Sequence, residues 1–247
     1  MRRVSRSQLD ATTLRKLNEK QLRANRKKAE NSLDVTSDWE AARKTKPLAT
    51  VLSHLKAMSG STERCMYCLD SHGTDIDHFW PKSIYPEKMY WWQNHLLNCT
   101  ECGRIKGIKF RLLNGVPLLI DPTVEEPWQY LDFEPTTGII TARYDKDTDN
   151  WSERGNTTVE TLELDRREAL ARRHLKTFRR LSHHVKTYLA DGTPPATELI
   201  EKLQDDDDHD LLGWCVYGDG GNAEPFRSLR EQHPDVWQVL EVALHRV

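Results

Sequence analysis

The sequence predicts an α+β fold in which a small strand–strand–helix element, closed by one zinc ion, lies between N- and C-terminal helical extensions. Two Cys-x-x-Cys pairs, Cys65/Cys68 and Cys99/Cys102, flank that element, and four thiolates complete the tetrahedral shell of a structural zinc site. Residues 74–79 between the pairs read as a strand. Apolar residues at helical spacing on both sides of the element predict the extensions.

The distribution of charge predicts one basic face and one acidic face. Charged residues make up 30% of the chain, and the formal net charge is only −2. Residues 2–28 carry ten Lys and Arg against Asp10 and Glu19, whereas the balance turns acidic from Asp191 onward. This asymmetry is typical of a protein with one side toward nucleic acid and another toward solvent or a partner.

The sequence predicts a cytoplasmic protein, and this location bears on the chemical state of its cysteines. No apolar run approaches the length of a membrane span, and the N-terminus lacks the apolar core of a secretory signal. In the cytoplasm, paired cysteines are more often metal ligands than disulfides or unligated thiols. Thirty residues separate the two pairs, so the zinc ion clasps an inserted element. Cys215, beside Trp214, is expected in the packed core.

The N-terminal extension is predicted to hold two helices. Residues 7–29 form a basic helix with a thin apolar stripe, which is either a solvated helix or a docking arm for phosphates or a partner subunit. A second helix is predicted from Trp39 to Met58, interrupted near Pro47. Within the clasped element, residues 74–91 are expected to form a β-hairpin or an Ω-like excursion, followed by a helix from about Asn94 to Arg104.

Strands and helices alternate less regularly after the clasped element. Short strands are predicted at residues 116–122, 128–133 and 138–144, and one long helix is predicted from Thr158 through Val185. The remaining predictions are a linker at residues 192–195, a helix at 196–204, a solvated acidic loop at 205–208 and a last helix at 234–245. The segments group into a helical region (1–60), a zinc-clasped core with its following strands (61–150) and a C-terminal helical region (151–247).

The pair Asp77-His78, between the cysteine pairs, is typical of phosphodiester hydrolysis. Cutting a phosphodiester needs a base for the attacking water and a cation for the charge that builds on the phosphate. His78 titrates near neutral pH and is the candidate base. Asp77 offers the carboxylate oxygen that Mg²⁺ or Mn²⁺ prefers. His72 and His95 lack this context and are expected at loop or surface positions.

With this arrangement the chain resembles the HNH (ββα-metal) endonucleases in their zinc-clasped version. The residues that carry the resemblance are Cys65, Cys68, Asp77, His78, Pro81, Asn94, Cys99, Cys102 and Lys106. The resemblance implies that Asp77 ligates the catalytic metal, that His78 is the general base and that Asn94 steadies the hairpin and orients His78. Lys106, Arg104 and Lys109, at the end of the helix, are candidates for contacts with backbone phosphates, or a solvated basic helix end.

Further motifs resemble one subfamily, the HNH subunit (PtuB) of Septu and retron-linked anti-phage systems. They are DIDHFWPKS, LLIDPT, EPWQYL and the segment at residues 158–174, so the resemblance covers about residues 35–185. This resemblance implies a partner ATPase of the ABC type (PtuA) that controls hydrolysis of DNA. The chain itself has no Gly-rich phosphate loop.

One position departs from the pattern. The family usually places a His or Asn on the helix after the second cysteine pair, as a second ligand of the catalytic metal, and this chain has Gly103 there. Asp75, on the face of Asp77 by strand alternation, or Glu101 is a candidate substitute. Two alternatives to a DNA-cutting subunit therefore stay open: a catalytically silent zinc module that binds a partner or nucleic acid, and an RNase of the same fold acting on tRNA.

Overall fold

The computed structural model describes residues 1–192 and 194–244 and confirms a mixed α+β fold. Ten α-helices and four two-stranded antiparallel sheets occur within these residues. Among the described helices, none has an apolar stretch that would bridge a lipid bilayer.

The chain divides into two compact units. The first unit comprises Val4–Tyr67 and Ser71–Pro117, and the second comprises Met1–Arg3, Cys68–Asp70 and the chain from Leu118 onward. The segment boundaries expected at residues 60 and 150 stay a prediction.

Helix α1 (Ala11–Ala29) begins four residues later than predicted, because the Asp10 carboxylate caps its first turn. Its buried residue Gln21 fixes the helix to the loop of the hairpin. The Gln21 amide donates to the carbonyl oxygen of Pro86 at 2.9 Å and accepts from the backbone N–H of Tyr90 at 2.8 Å. A polar side chain thus sets the path of the backbone at residues 86–90.

Helices α2 (Val35–Ala42) and α3 (Lys46–Met58) replace the one helix predicted from Trp39 to Met58. Pro47 stands in the first turn of α3, where its missing N–H is tolerated. The interruption predicted near Pro47 is confirmed: residues 43–45 separate the two helices, and Pro47 lies at the start of the second one. The apolar stripe of α3 is buried as its spacing predicts.

The hairpin of the first unit pairs β1 (Asp75–His78) with β2 (His95–Asn98). The register places Asp77 opposite Leu96 and His78 opposite His95. Helix α4 (Thr100–Lys106) follows β2 directly. The helix predicted from residue 94 was therefore wrong over residues 95–98, which form the second strand.

A second hairpin ends the first unit. Strands β3 (Leu112–Leu113) and β4 (Val116–Pro117) are joined by Asn114 and Gly115, both with positive φ, as a two-residue hairpin turn requires. The strand predicted over residues 116–122 is limited to its first two residues.

The second unit contains two short sheets. Strands β5 (Leu131–Phe133) and β6 (Ile140–Ala142) pair antiparallel and confirm, in shorter form, the strands predicted at 128–133 and 138–144. Strands β7 (Tyr144–Asp145) and β8 (Asn150–Trp151) form an exposed ribbon.

Six helices complete the described part of the second unit. They are α5 (Glu153–Leu162), α6 (Glu168–Asp191), α7 (Ala196–Asp206), α8 (Leu211–Tyr217), α9 (Phe226–Gln232) and α10 (Pro234–Ala243). The single helix predicted over residues 158–185 was wrong, because Glu163 takes a left-handed conformation and ends α5. Residue 193 of the predicted linker and residue 245 of the predicted last helix lie outside the described residues. Cys215 is buried in α8, as predicted.

The acidic run at residues 205–208 was wrongly predicted to be a solvated loop. Arg180 of α6 forms ion pairs with Asp206 and Asp208. The Asp207 carboxylate accepts hydrogen bonds from two backbone N–H groups in the first turn of α8, at 2.8 and 2.9 Å. A guanidinium group thus pairs with two of these side chains and a helix start hydrogen-bonds a third, contacts that sequence alone does not reveal.

Candidate functional site

Four of the five cysteines form a cluster that can hold a zinc ion. The Sγ atoms of Cys65, Cys68, Cys99 and Cys102 all lie within 4.8 Å of one another, and the four side chains are buried. None of the five cysteines is disulfide-bonded. Cys99 caps α4, with its Sγ accepting from the backbone N–H of Cys102 at 3.4 Å. Buried thiolates at this separation fit a tetrahedral zinc ion, so the predicted metal ligands are brought together.

His78 ends β1 with a fixed ring orientation. Its side chain is buried, and Nε2 lies 2.9 Å from the carbonyl oxygen of Met89. Because a carbonyl oxygen only accepts hydrogen bonds, Nε2 carries the proton and Nδ1 is the basic nitrogen of the neutral ring. The indole of Trp39 packs edge-on, with ring centroids 4.3 Å apart. Burial above all, and then electrostatic interaction with His95 and Lys82, lowers the pKa of His78 well below its usual range, and so below the near-neutral value expected from the sequence.

His95 lies directly opposite His78, and sequence reasoning wrongly placed it at the surface. It is fully buried, and its Nε2 also donates to the carbonyl oxygen of Met89, at 3.0 Å. The two imidazole rings meet edge to face with centroids 5.2 Å apart. Burial lowers the pKa of His95 to about 4, so the second ring is neutral near pH 7. All four residues of β2 are buried, so His95 lies in the interior with the rest of its strand.

The Asp77 carboxylate is held through one of its two oxygens. Its Oδ2 accepts a hydrogen bond from the Tyr67 hydroxyl at 2.7 Å and lies 3.0 Å from the Lys106 ammonium group. Lys106 is only 1% exposed and also donates to the carbonyl oxygen of His78 at 2.7 Å. Both recorded contacts fall on Oδ2, which leaves Oδ1 as the carboxylate oxygen suited to a hard cation.

Asn94, predicted to steady the hairpin, ties its loop together. Its Oδ1 accepts from the backbone N–H of Trp80 at 2.7 Å, and its Nδ2 donates to the carbonyl oxygens of Trp80 and Lys88 at 3.1 and 2.9 Å. Lys88 directly precedes Met89, the residue whose carbonyl oxygen holds both imidazoles. Asn94 therefore acts on the backbone around His78 and makes no recorded contact with the His78 ring.

The three basic residues predicted to meet phosphate differ in exposure. Arg104 and Lys109 are exposed, whereas the ammonium group of Lys106 is buried between Asp77 and the backbone of His78. Sequence reasoning missed Lys82, whose charge acts on both Asp77 and His78 and whose own pKa is lowered, chiefly by burial. Its position four residues after His78 is the signal that was available.

The two proposed substitutes for a ligand at Gly103 are not equivalent. Asp75 is bound by the Arg43 guanidinium group, with Nη2 3.1 and 3.2 Å from the two carboxylate oxygens. Glu101 lies exposed in the first turn of α4. His72 is exposed as predicted, 3.4 Å from Glu63.

Part of this chain is similar to a known protein. Over 82 residues the chain is 30% identical to the Septu protein PtuB of Bacillus thuringiensis. The match covers 31% of this chain and 31% of that protein, so the chain spans less than a third of the length of its relative. No family model matches the chain. The similarity confirms the resemblance to PtuB that the sequence motifs predict.

Proposed function

We propose that this chain is a metal-dependent HNH endonuclease subunit that hydrolyses phosphodiester bonds in DNA under the control of a partner ATPase. The observation that carries the proposal is the fixed tautomer of His78. Its Nε2 proton is committed to the Met89 carbonyl oxygen, so Nδ1 is the nitrogen that can take a proton. Asp77 directly precedes His78 on the same strand.

Each residue of the site has a separate task in the proposed hydrolysis. His78 accepts a proton from the attacking water, and Asn94 holds the loop that carries the Met89 carbonyl oxygen. Asp77 would hold a Mg²⁺ or Mn²⁺ ion, which supplies positive charge to the phosphate and the leaving oxygen when it is bound. Lys106 positions Asp77 through its contact with Oδ2. The exposed side chains of Arg104 and Lys109 are the candidates for the nucleic-acid backbone.

The biological setting rests on the similarity to PtuB. By that analogy the chain acts in an anti-phage defence complex with an ABC-type ATPase of the PtuA kind. The four clustered cysteines fit a structural zinc ion, which in this proposal stabilises the hairpin and takes no part in the reaction.

The proposal is tested by cleavage of plasmid DNA with Mg²⁺ or Mn²⁺, by the chain alone and together with its ATPase partner. We expect cleavage by the wild type and a loss of about 10²-fold or more in His78→Ala, because the proton acceptor is gone. His72→Ala, which changes an exposed histidine of the same unit, is the matched control and should cleave normally. Equal cleavage by the wild type and His78→Ala would contradict the proposal. A parallel reaction with tRNA decides between a DNase and an RNase.

A catalytically silent zinc module is the second candidate, and Gly103 is the observation that favours it. A glycine brings no ligand atom to the helix, so a divalent ion there has fewer protein contacts than the family pattern implies. Retained binding of nucleic acid or partner without cleavage in any of these reactions would support this candidate.

A further inference from the structure

The space that a side chain at residue 103 would need is already occupied. A Cβ atom built on Gly103 would lie less than 3.0 Å from Nδ2 of the Asn98 side-chain amide, closer than real Cβ atoms approach their neighbours. The absence of a side chain at residue 103 therefore makes room for the amide of Asn98, the last residue of β2.

The Nδ2 atom of the Asn98 amide lies in this space, and the Oδ1 atom of the same amide is unsatisfied. Asn98 is 5% exposed, and its Oδ1 is buried with no hydrogen-bond partner in the described part of the chain. Leaving a buried acceptor unpaired is costly, so native proteins rarely keep one without a reason. An amide oxygen is also a hard donor of the kind that Mg²⁺ and Mn²⁺ accept.

Strand register places this amide on the face of the hairpin that carries Asp77. Asn98 pairs with Asp75, and side chains two residues apart on a strand share a face, so Asn98, Asp75 and Asp77 point the same way. On the helix, Gly103 stands one turn before Lys106, whose ammonium group contacts Asp77. The amide and the carboxylate thus face the same interface between hairpin and helix.

We infer that Asn98 is the second protein ligand of the divalent ion, supplying from the strand the oxygen that residue 103 does not supply from the helix. Asp75 is less suited to this task, because Arg43 neutralises both of its oxygens. The inference deepens the proposed function, since it concerns the ion of that same site.

The test is Mn²⁺ binding to the zinc-loaded chain, measured by calorimetry and by the electron paramagnetic resonance of the free ion. We expect one Mn²⁺ site in the wild type, an affinity about tenfold lower in Asn98→Ala and an affinity at least equal to wild type in the near-isosteric Asn98→Asp. In Asn98→Ala/Gly103→Asn the ligand returns to the helix, so most of the lost affinity should be recovered. Gly103→Asn alone retains the crowding with Asn98 and should be less stable to heat than the double variant.

Each outcome bears on the inference separately from nuclease activity. Unchanged Mn²⁺ affinity in Asn98→Ala, with normal zinc content and thermal unfolding, would overturn the inference, as would a wild type that binds no Mn²⁺. If Asn98→Ala does not fold, weaker binding by Asn98→Asp than by wild type overturns it equally. His72→Ala, which changes an exposed residue outside the site, should bind Mn²⁺ as wild type does. The titration requires no cleavage, so the binding experiment and the cleavage assay can fail independently.

Discussion

The single backbone oxygen of Met89 determines the chemistry of two histidines. It accepts the Nε2 protons of His78 and His95 together, which its two lone pairs allow. His95 is neutral near pH 7, so it packs against His78 without adding a positive charge. Nothing in the sequence around Met89 signals this role, because a backbone carbonyl is available at every residue and only the loop path, held by Gln21 and Asn94, selects this one.

Lys106 shows a different role in the structure from the one expected of a basic residue at a helix end. Replacing it with Met keeps the length of the side chain but leaves the Asp77 carboxylate with only the Tyr67 hydroxyl. We expect the free energy of unfolding to fall by about 2–4 kcal/mol, because a buried ammonium group is removed from its carboxylate and carbonyl partners. Urea titration followed by tryptophan fluorescence measures the change.

The control for this prediction is Lys44→Met, which changes an exposed lysine of the same unit. Its stability should stay within about 0.5 kcal/mol of wild type. A Lys106→Met variant as stable as Lys44→Met would show that the buried ammonium group contributes little.

At the scale of elements, sequence periodicity located the clasped hairpin but misassigned its second strand. All four residues of His95–Asn98 are buried, so they do not show the alternation by which a half-buried strand is recognised. A short run without alternation of apolar and polar residues reads equally well as part of a helix. The Cys-x-x-Cys spacing, by contrast, is a local property of the chain, and it correctly predicted that the four thiols lie together.

The cysteine cluster also caps α4, so metal binding and helix formation are expected to be coupled. We expect one zinc ion per chain in wild type and none in Cys102→Ser. The thermal unfolding temperature should fall by about 10 °C or more, because a structural zinc site contributes several kcal/mol and each kcal/mol corresponds to about 2–4 °C in a chain of this size. Zinc content is measured by mass spectrometry of the purified chain, and unfolding by circular dichroism.

Cys215→Ser separates metal loss from core damage. Cys215 is equally buried but lies outside the cluster, so this variant should lose stability while keeping its zinc. Full zinc occupancy in Cys102→Ser would refute the assignment of Cys102 as a ligand.

At the scale of the whole molecule, two ionisable groups with shifted pKa values oppose each other in their effect on stability. Burial lowers the pKa of His174 to about 3, and its Nδ1 donates to the carbonyl oxygen of Gly138 at 2.9 Å. Burial, followed by the charge of Asp210, raises the pKa of Asp207 to about 7. Between pH 4 and 6.5, His174 is therefore neutral in the folded chain and largely protonated in the unfolded chain. Over the same range, Asp207 is protonated in the folded chain and ionised in the unfolded chain.

The two contributions to the pH dependence have opposite signs and partly cancel in wild type. Stability due to His174 rises with pH up to about 6.5, and stability due to Asp207 falls with pH up to about 7, each by at most about 1.4 kcal/mol per pH unit. Asp207→Asn should thus make stability rise more steeply between pH 4.5 and 6.5 than in wild type, and His174→Asn should make it fall with pH. Urea titrations at half-unit pH intervals give these slopes, which do not depend on how much each substitution destabilises the chain overall. If stability changed with pH by the same slope in wild type and in both variants, the pKa values of His174 and Asp207 would not be shifted in the directions described.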